Sequence, residues 1–329
     1  MQKILIIRFS SIGDIVLTSP VIRCLKEQTG AEIHFLCKQN YRSILEANPY
    51  IDQLHTIKEN VNEILPALKS ASYDCIIDLH KNIRSMLVRK SLGVKTYSFD
   101  KINFAKWMMV RFKINRLPKK HIVDRYLESI EALGVRNDGR GLDYFIPKDQ
   151  EVDLRQLASQ FNTQDKLQNY IAFAIGAAHA TKRLPYDKIV SICSNLSKPI
   201  ILLGGPGEKP IGEQLAHNLG DKVINTCGHL TLHQSASIVR QADTVISHDT
   251  GMMHIAAAFN KKIVSIWGNT IPAFGMTPYY PTSVDNNISI EVEGLSCRPC
   301  SKIGYSSCPK GHFKCMKEIS VDQVKKSLL

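Results

Sequence analysis

No apolar run in the sequence approaches the roughly 18 residues of a membrane-spanning helix. The opening stretch, residues 1–8, is also too short an apolar run for a signal peptide, so the chain reads as cytoplasmic. Glycine and proline are sparse: 19 Gly and 14 Pro in 329 residues, with 44% hydrophobic and 22% charged, exclude a collagen-like repeat and a disordered polyelectrolyte. No internal repeat or low-complexity tract is visible. What is short above all is acid. Thirty Asp and Glu face 42 Lys and Arg, a net charge of +12 that suggests an anionic partner: nucleic acid, an anionic membrane surface or a phosphorylated substrate.

The excess is not spread evenly. Residues 81–125 hold 13 Lys and Arg but only Asp100 and Asp124 on the acidic side. There Phe104, Trp107, Met108, Met109, Val110 and Phe112 alternate with Lys106, Arg111 and Lys113. Such a mixture suits an interfacial surface beside anionic head groups, and it also fits an ordinary solvated basic helix.

Length alone predicts two domains, each large enough for its own core. Short β-branched runs (3–7, 32–37, 75–79, 170–175, 199–203, 244–247 and 262–267) alternate with helical stretches such as 19–28, 188–196 and 212–219. Strands alternating with helices predict parallel sheets wound with crossover helices. The pattern restarts near Tyr170 after a polar stretch, 149–169, read as helix plus linker. Ser320 to Gln323 resembles a capping box opening a last helix over 321–328. Two such domains facing one another would place their ligand sites at strand carboxyl ends, in the cleft between them.

The loops after the strands carry the candidate chemistry. After the first strand come Ser10, Ser11 and Gly13, which let a ligand approach, and then Asp14. A carboxylate there could take a proton from a sugar hydroxyl, or it could merely cap a helix. Small residues 176–181 are followed by Lys182 and Arg183, suited to a diphosphate or to plain surface charge. Glu208 in the Gly204–Glu208 turn could accept from ribose or sugar hydroxyls, or sit at a helix start with no ligand. In residues 247–258, Asp249 reads as an N-cap, and the amides of Thr250 and Gly251 open a helix whose N-terminus can bind phosphate. His254, one turn on, could face the same ligand or be a satisfied core histidine.

The order ILIIRFSSIGDIVLTSP (4–20), YDCIIDLHKNIRS (73–85), KRLP (182–185), GGPGE (204–208), SHDTGMMHIAAA (247–258) and WGNTIP (267–272) resembles glycosyltransferase family 9, the ADP-heptose:lipopolysaccharide heptosyltransferases, over nearly the whole chain. Leu184 departs from it, standing where many relatives have Trp. The resemblance implies a GT-B architecture: an acceptor-binding Rossmann-like domain (1–155), a nucleotide-sugar-binding one (156–318) and a final helix (319–329) returning to the first domain. It implies inverting, metal-independent transfer from ADP-L-glycero-β-D-manno-heptose, or a related nucleotide sugar, to the lipopolysaccharide inner core. The acceptor would be Kdo-lipid A or a first heptose, met at the cytoplasmic face of the inner membrane. Carried over, Asp14 matches the general base, Lys182 the cation on the leaving diphosphate and Glu208 the ribose contact. Asp249 matches the group holding heptose hydroxyls, Thr250 and Gly251 the phosphate amides, and His254 the histidine of that motif. Ser10, Gly13, His80 and Arg84 fall on the acceptor side. No Asp-x-Asp pair stands at a suitable loop, consistent with Lys182 and a helix N-terminus replacing a divalent cation.

Nine cysteines remain to be placed. Cys24, Cys37, Cys75, Cys193 and Cys227 are scattered, while Cys297, Cys300, Cys308 and Cys315 cluster, with His312 between the last two. In a reducing compartment this cluster (297–315) reads as a structural Zn or Fe site rather than as disulfides. Charge and cysteines alone would also allow a metal-knuckle nucleic-acid binder, but such a protein has no need of these motifs at successive strand ends, so no nucleic-acid partner is expected. A nucleotide-sugar epimerase on the same fold would need the donor loops but no acceptor.

Overall fold

The computed structural model describes residues 2–160, 167 and 169–328, and the chain divides into two compact units. The first comprises residues 1–101 and 120–145, the second 102–119 and 146–329. The expected division at 155/156 therefore falls ten residues late, and one segment of the basic stretch, 102–119, belongs to the second unit. The expected linker over 149–169 lies partly outside the described residues; within it, 154–160 is helical.

The first unit is a five-stranded parallel sheet of β1 (Lys3–Ile7), β2 (Glu32–Lys38), β3 (Gln53–Ile57), β4 (Cys75–Asp78) and β5 (Lys95–Ser98), in the order 3-2-1-4-5. The central strand β1 is buried from Ile4 to Ile7, because helices cover both faces of a parallel sheet and leave no polar side to alternate with. The helices used below are α1 (Ile12–Val16), α2 (Ser19–Thr29) and α3 (Ile83–Leu92). Gly30 ends α2 at φ 64°, a left-handed cap that costs glycine little. Buried Arg23 in α2 bonds Asp138, Asp143 and the Gly141 carbonyl, tying the 138–143 loop to the helix.

Histidines are buried in this sheet. His34 Nδ1 lies 2.8 Å from Tyr73 Oη and 3.1 Å from His55 Nε2, while its Nε2 meets Glu32 Oε1 at 2.8 Å. Burial, with the His34 charge beside it, lowers the His55 pKa to about 4. An unfolded His55 takes up its proton near pH 6.5, whereas the folded one does so only near 4. Its contribution is therefore complete above 6.5 and is lost as pH falls toward 4, by up to about 3 kcal/mol. The urea midpoint is expected to drop between about pH 7 and about pH 4.5, and His55→Asn to make that drop shallower, other buried histidines keeping the rest of it. A midpoint equally pH-dependent in the variant would remove His55 as the cause.

The second unit carries a six-stranded parallel sheet in the order 11-10-9-6-7-8. Its strands are β6 (Ile171–Ala174), β7 (Ile200–Leu203), β8 (Val223–Asn225), β9 (Thr244–His248), β10 (Lys262–Trp267) and β11 (Asn287–Glu291). Helices α4 (Asn103–Phe112), α5 (Tyr186–Asn195), α6 (Gly251–Ala258) and α7 (Val321–Ser327) belong to the same unit. Ser320 caps α7, its side chain accepting from Gln323 N. This last helix is grouped with the second unit. It packs on α5 and β11, because Val324 and Leu328, with Ile319, Met316 and Cys315 before them, complete the second hydrophobic core. Among the described residues no helix is long and apolar enough to cross a membrane.

Candidate active site

In each sheet the strand order reverses once, and at such a point the carboxyl ends of the two neighbouring strands border the ligand crevice of an open α/β sheet. In the first unit those strands are β1 and β4. Arg8, at the end of β1, is 9% exposed and organises both of the loops that leave them. Its Nε donates to Ser10 O at 2.8 Å, its Nη1 to Leu79 O and to Tyr126 Oη at 3.1 Å, and its Nη2 pairs with Asp14 Oδ1 at 2.7 Å. Burial by itself pulls the guanidinium pKa down, but Tyr126, Asp14 and Asp78 outweigh it and raise the value. The other oxygen of Asp14 accepts from Ser11 Oγ at 2.7 Å and Ser11 N at 3.2 Å. Asp14 thus closes the N-terminus of α1 and is also held in one orientation by a buried cation.

After β4 the turn is fixed by Asp78, which is fully buried and accepts from the backbone of His80 and Lys81 at 3.0 and 2.7 Å while pairing with Arg89 at 3.2 Å. The His80 ring stands edge-on to Phe9, centroids 5.3 Å apart. Burial first, then the charges of Arg8, Lys101 and Arg84, lower its pKa to about 4, so near neutral pH it is a neutral imidazole. Its Nδ1 is buried and finds no hydrogen-bond partner among the described residues. Arg84 is exposed at the start of α3, Ser10 is partly exposed, and Gly13 is buried inside α1, where it serves the helix.

In the second unit the reversal lies between β6 and β9. Lys182, from the loop after β6, pairs with Asp249 Oδ2 at 2.6 Å, and Thr270 Oγ1 donates to the same oxygen at 2.8 Å. Both partners of the ion pair are mostly shielded, with side chains 16% and 12% exposed. The expected N-cap role of Asp249 is not what forms. Thr250 is the N-cap of α6, in extended backbone, because the carboxylate one residue earlier is turned to Lys182 and Thr270. Gly251 is the first residue of α6, whose unpaired amides offer an anion site. His254 is only 2% exposed, so it supports α6 from within.

Glu208 lies beside the same loops. Its carboxylate accepts from Gly205 N at 3.0 Å and pairs with Arg183 at 3.4 Å. A Cβ at Gly176 would come within 2.9 Å of the Glu208 carboxyl carbon, and one at Gly204 within 2.7 Å of the Glu208 Cβ. Both loops are therefore glycine so that this carboxylate can approach them.

Several residues at these sites were not singled out from the sequence. Arg8 and Asp78 end buried apolar strands with a charge, a signal that was readable. His248, fully buried, accepts from Leu184 N at 3.1 Å and so ties the loop carrying Lys182 to β9; burial lowers its pKa to about 4, keeping that nitrogen an acceptor. Arg298 was hidden among the cysteines. Its guanidinium donates to the carbonyls of Gly268, Thr270 and Val292 and pairs with Glu291.

The cysteine-rich segment is thus a brace. Cys300 N donates to Asn269 O at 3.1 Å, and Tyr305 and Thr181 exchange bonds at 2.8 and 3.2 Å. The four thiols of the expected metal site, Cys297, Cys300, Cys308 and Cys315, lie near one another but are not drawn together as one ligand set. Cys315 is buried in the hydrophobic core, Cys300 Sγ faces the Cys297 carbonyl at 3.1 Å, and Cys297 Sγ lies 3.8 Å from His312 Nε2. Among the described residues no three His, Cys, Asp or Glu side chains are grouped to hold one ion. Burial first, with the charges of Cys300, Cys308 and Cys297 adding to it, raises the Cys315 thiol to about 11.

Comparison with known proteins agrees with this geometry. The chain is 25% identical to lipopolysaccharide heptosyltransferase 1 of Campylobacter coli over 88% of each chain. A family 9 glycosyltransferase structure from Veillonella parvula matches 99% of this chain and 95% of its own, with a TM-score of 0.76 at 21% identity. The structure of the E. coli ADP-heptose lipopolysaccharide heptosyltransferase II matches 99% and 97%, with a TM-score of 0.71 at 19% identity. The fold is therefore GT-B, built on two parallel-sheet α/β domains. Residues 61–307 match the model of glycosyltransferase family 9 (heptosyltransferase), and the chain, a glycosyltransferase, belongs to that family.

Proposed function

We propose that the protein transfers a heptose from ADP-L-glycero-β-D-manno-heptose to the lipopolysaccharide inner core, Kdo-lipid A or a first heptose, at the inner face of the cytoplasmic membrane. Transfer inverts the anomeric centre and needs no catalytic metal. The observation that supports this reading is the Lys182–Asp249–Thr270 cluster just before the opening of α6, a cation and helix-start amides of the kind that stabilise a leaving diphosphate.

In this reading the first unit binds the acceptor through Ser10, Gly13, His80 and Arg84. Asp14 takes the proton of the attacking hydroxyl, and the new C–O bond forms as the bond from the anomeric carbon to the diphosphate oxygen breaks. The electron pair leaves with ADP, on the opposite face of the sugar, which is what inverts the centre. Lys182 and the amides of Thr250 and Gly251 take up the developing charge, Glu208 receives the ribose, Asp249 the heptose hydroxyls, and His254 keeps α6 in place.

The test is ADP release from ADP-heptose with and without Kdo-lipid A. Release that depends on acceptor and is unchanged by excess EDTA is expected. Absence of release with every acceptor, including when other sugar nucleotides are supplied, would sink the assignment; loss of turnover in EDTA would sink the metal-free part alone.

A further inference from the structure

Helix α4 inverts the usual rule for a soluble helix. None of its residues is buried, and its most exposed arc carries its largest side chains: Phe104 is 70% exposed, Trp107 51% and Phe112 53%, with Ile114 just beyond at 45%. The positions Phe104, Trp107 and Arg111 follow the spacing of one helix face. The aromatic rings hold one another out in water, Phe104 stacked on Trp107 at 5.9 Å between centroids and Trp107 edge-on to Phe112 at 5.2 Å. The opposite face is the fastened one. Lys106 lies over the Phe274 ring at 5.8 Å, and Lys113 donates to Pro299 O at 2.7 Å and Cys297 O at 3.2 Å. A solvated basic helix would not turn its aromatic residues outward.

We propose that α4 docks the protein on an anionic lipid bilayer, seating Phe104, Trp107 and Phe112 among the head groups. The proposal rests on the reading of the acceptor as a membrane glycolipid and names the element that meets the membrane. Charge selects this occupant: residues 102–119 contain five Lys and Arg and no Asp or Glu, the pattern that binds acidic lipid surfaces. A second copy of the chain would bring that like charge face to face.

Tryptophan fluorescence is a clean probe, because the chain has two Trp and the other, Trp267, is 1% exposed. On mixed phosphatidylglycerol–phosphatidylcholine vesicles, Trp107 emission is expected to shift to the blue and the protein to sediment with the lipid. Pure phosphatidylcholine should give little of either. The triple variant Phe104→Ser, Trp107→Ser, Phe112→Ser is expected to lose at least about tenfold in partitioning. Its ADP release with a deacylated, water-soluble acceptor should stay at the wild-type level. Since all three side chains are exposed, its far-ultraviolet circular dichroism should match wild type; a Trp107→Phe single variant, which keeps the ring, should still sediment.

Equal sedimentation of wild type and triple variant would overturn the proposal, as would no partitioning of wild type onto anionic vesicles. So would a lipid-free dimer in sedimentation equilibrium that the triple variant dissolves. Failure of the transferase reading is separable, because it would appear as no ADP release by either protein on the soluble acceptor.

Discussion

Replacing Asp14 with Asn is expected to lower the rate of sugar transfer by roughly 10²–10⁴, the usual share of a positioned general base, while leaving ADP affinity unchanged. The carboxylate has two holders: Arg8 Nη2 on one oxygen and Ser11 on the other. Asn keeps the shape, and its amide oxygen can still accept from Ser11, so the start of α1 is preserved and the loss falls on proton transfer. Arg8 retains Ser10 O, Leu79 O and Tyr126 Oη after the change and is not left without partners. Stability should drop by more than a cap alone costs, about 1–3 kcal/mol, because the amide NH2 then faces Arg8 Nη2 where the carboxylate oxygen stood. The measurements are kcat with Kdo-lipid A and ADP binding by calorimetry. If Asp14→Asn keeps most of its rate, Asp14 is a helix cap and another group takes the proton.

That duality shows what the sequence could and could not reveal. A carboxylate three residues after Ser11 reads as cap or base, and the tie is broken only by Arg8, whose side chain reaches it from the end of a buried strand. The central strands were legible because both faces are buried and their apolar runs are continuous, as in β1, β6, β7 and β9. Four strands were not: β3, β5, β8 and β11. Each is short and three of them are half-exposed, since an outer strand has one neighbour and less to bury; Lys95–Ser98 has no buried residue at all. Asp249 was misassigned as a cap for a related reason. Motif spacing places it at a helix start, but its ion pair with Lys182 spans 67 positions and is set by which strands are neighbours. What the last helix packs on was not readable either: its capping residues mark where it starts, whereas the core that takes Val324 and Leu328 is set by the tertiary packing. The cysteine spacing suggested a metal, whereas what holds that segment to the site is Arg298.

Lys182→Ala and Asp249→Asn should move ADP affinity in opposite directions while both depress turnover. The Lys182 ammonium is 2.6 Å from Asp249, so an incoming diphosphate must share the cation with a carboxylate that also repels it. Lys182→Ala removes the attraction and leaves the repulsion, and ADP should bind roughly 10–100-fold more weakly, with transfer slowed by roughly 10²–10³ as the leaving group loses its charge partner. Asp249→Asn removes the repulsion and frees Lys182, so ADP should bind about fivefold more tightly. Turnover nonetheless falls, because the neutral amide no longer holds the sugar hydroxyls as the carboxylate does and Thr270 loses a charged acceptor. Neither change should unfold the site: the loop of Lys182 stays tied by His248 to Leu184, and the 268–270 loop stays held by Arg298. Calorimetry of ADP binding together with single-turnover rates separates the two effects. If both substitutions weaken ADP binding, the pair acts as one structural unit and Lys182 does not bear on the phosphates.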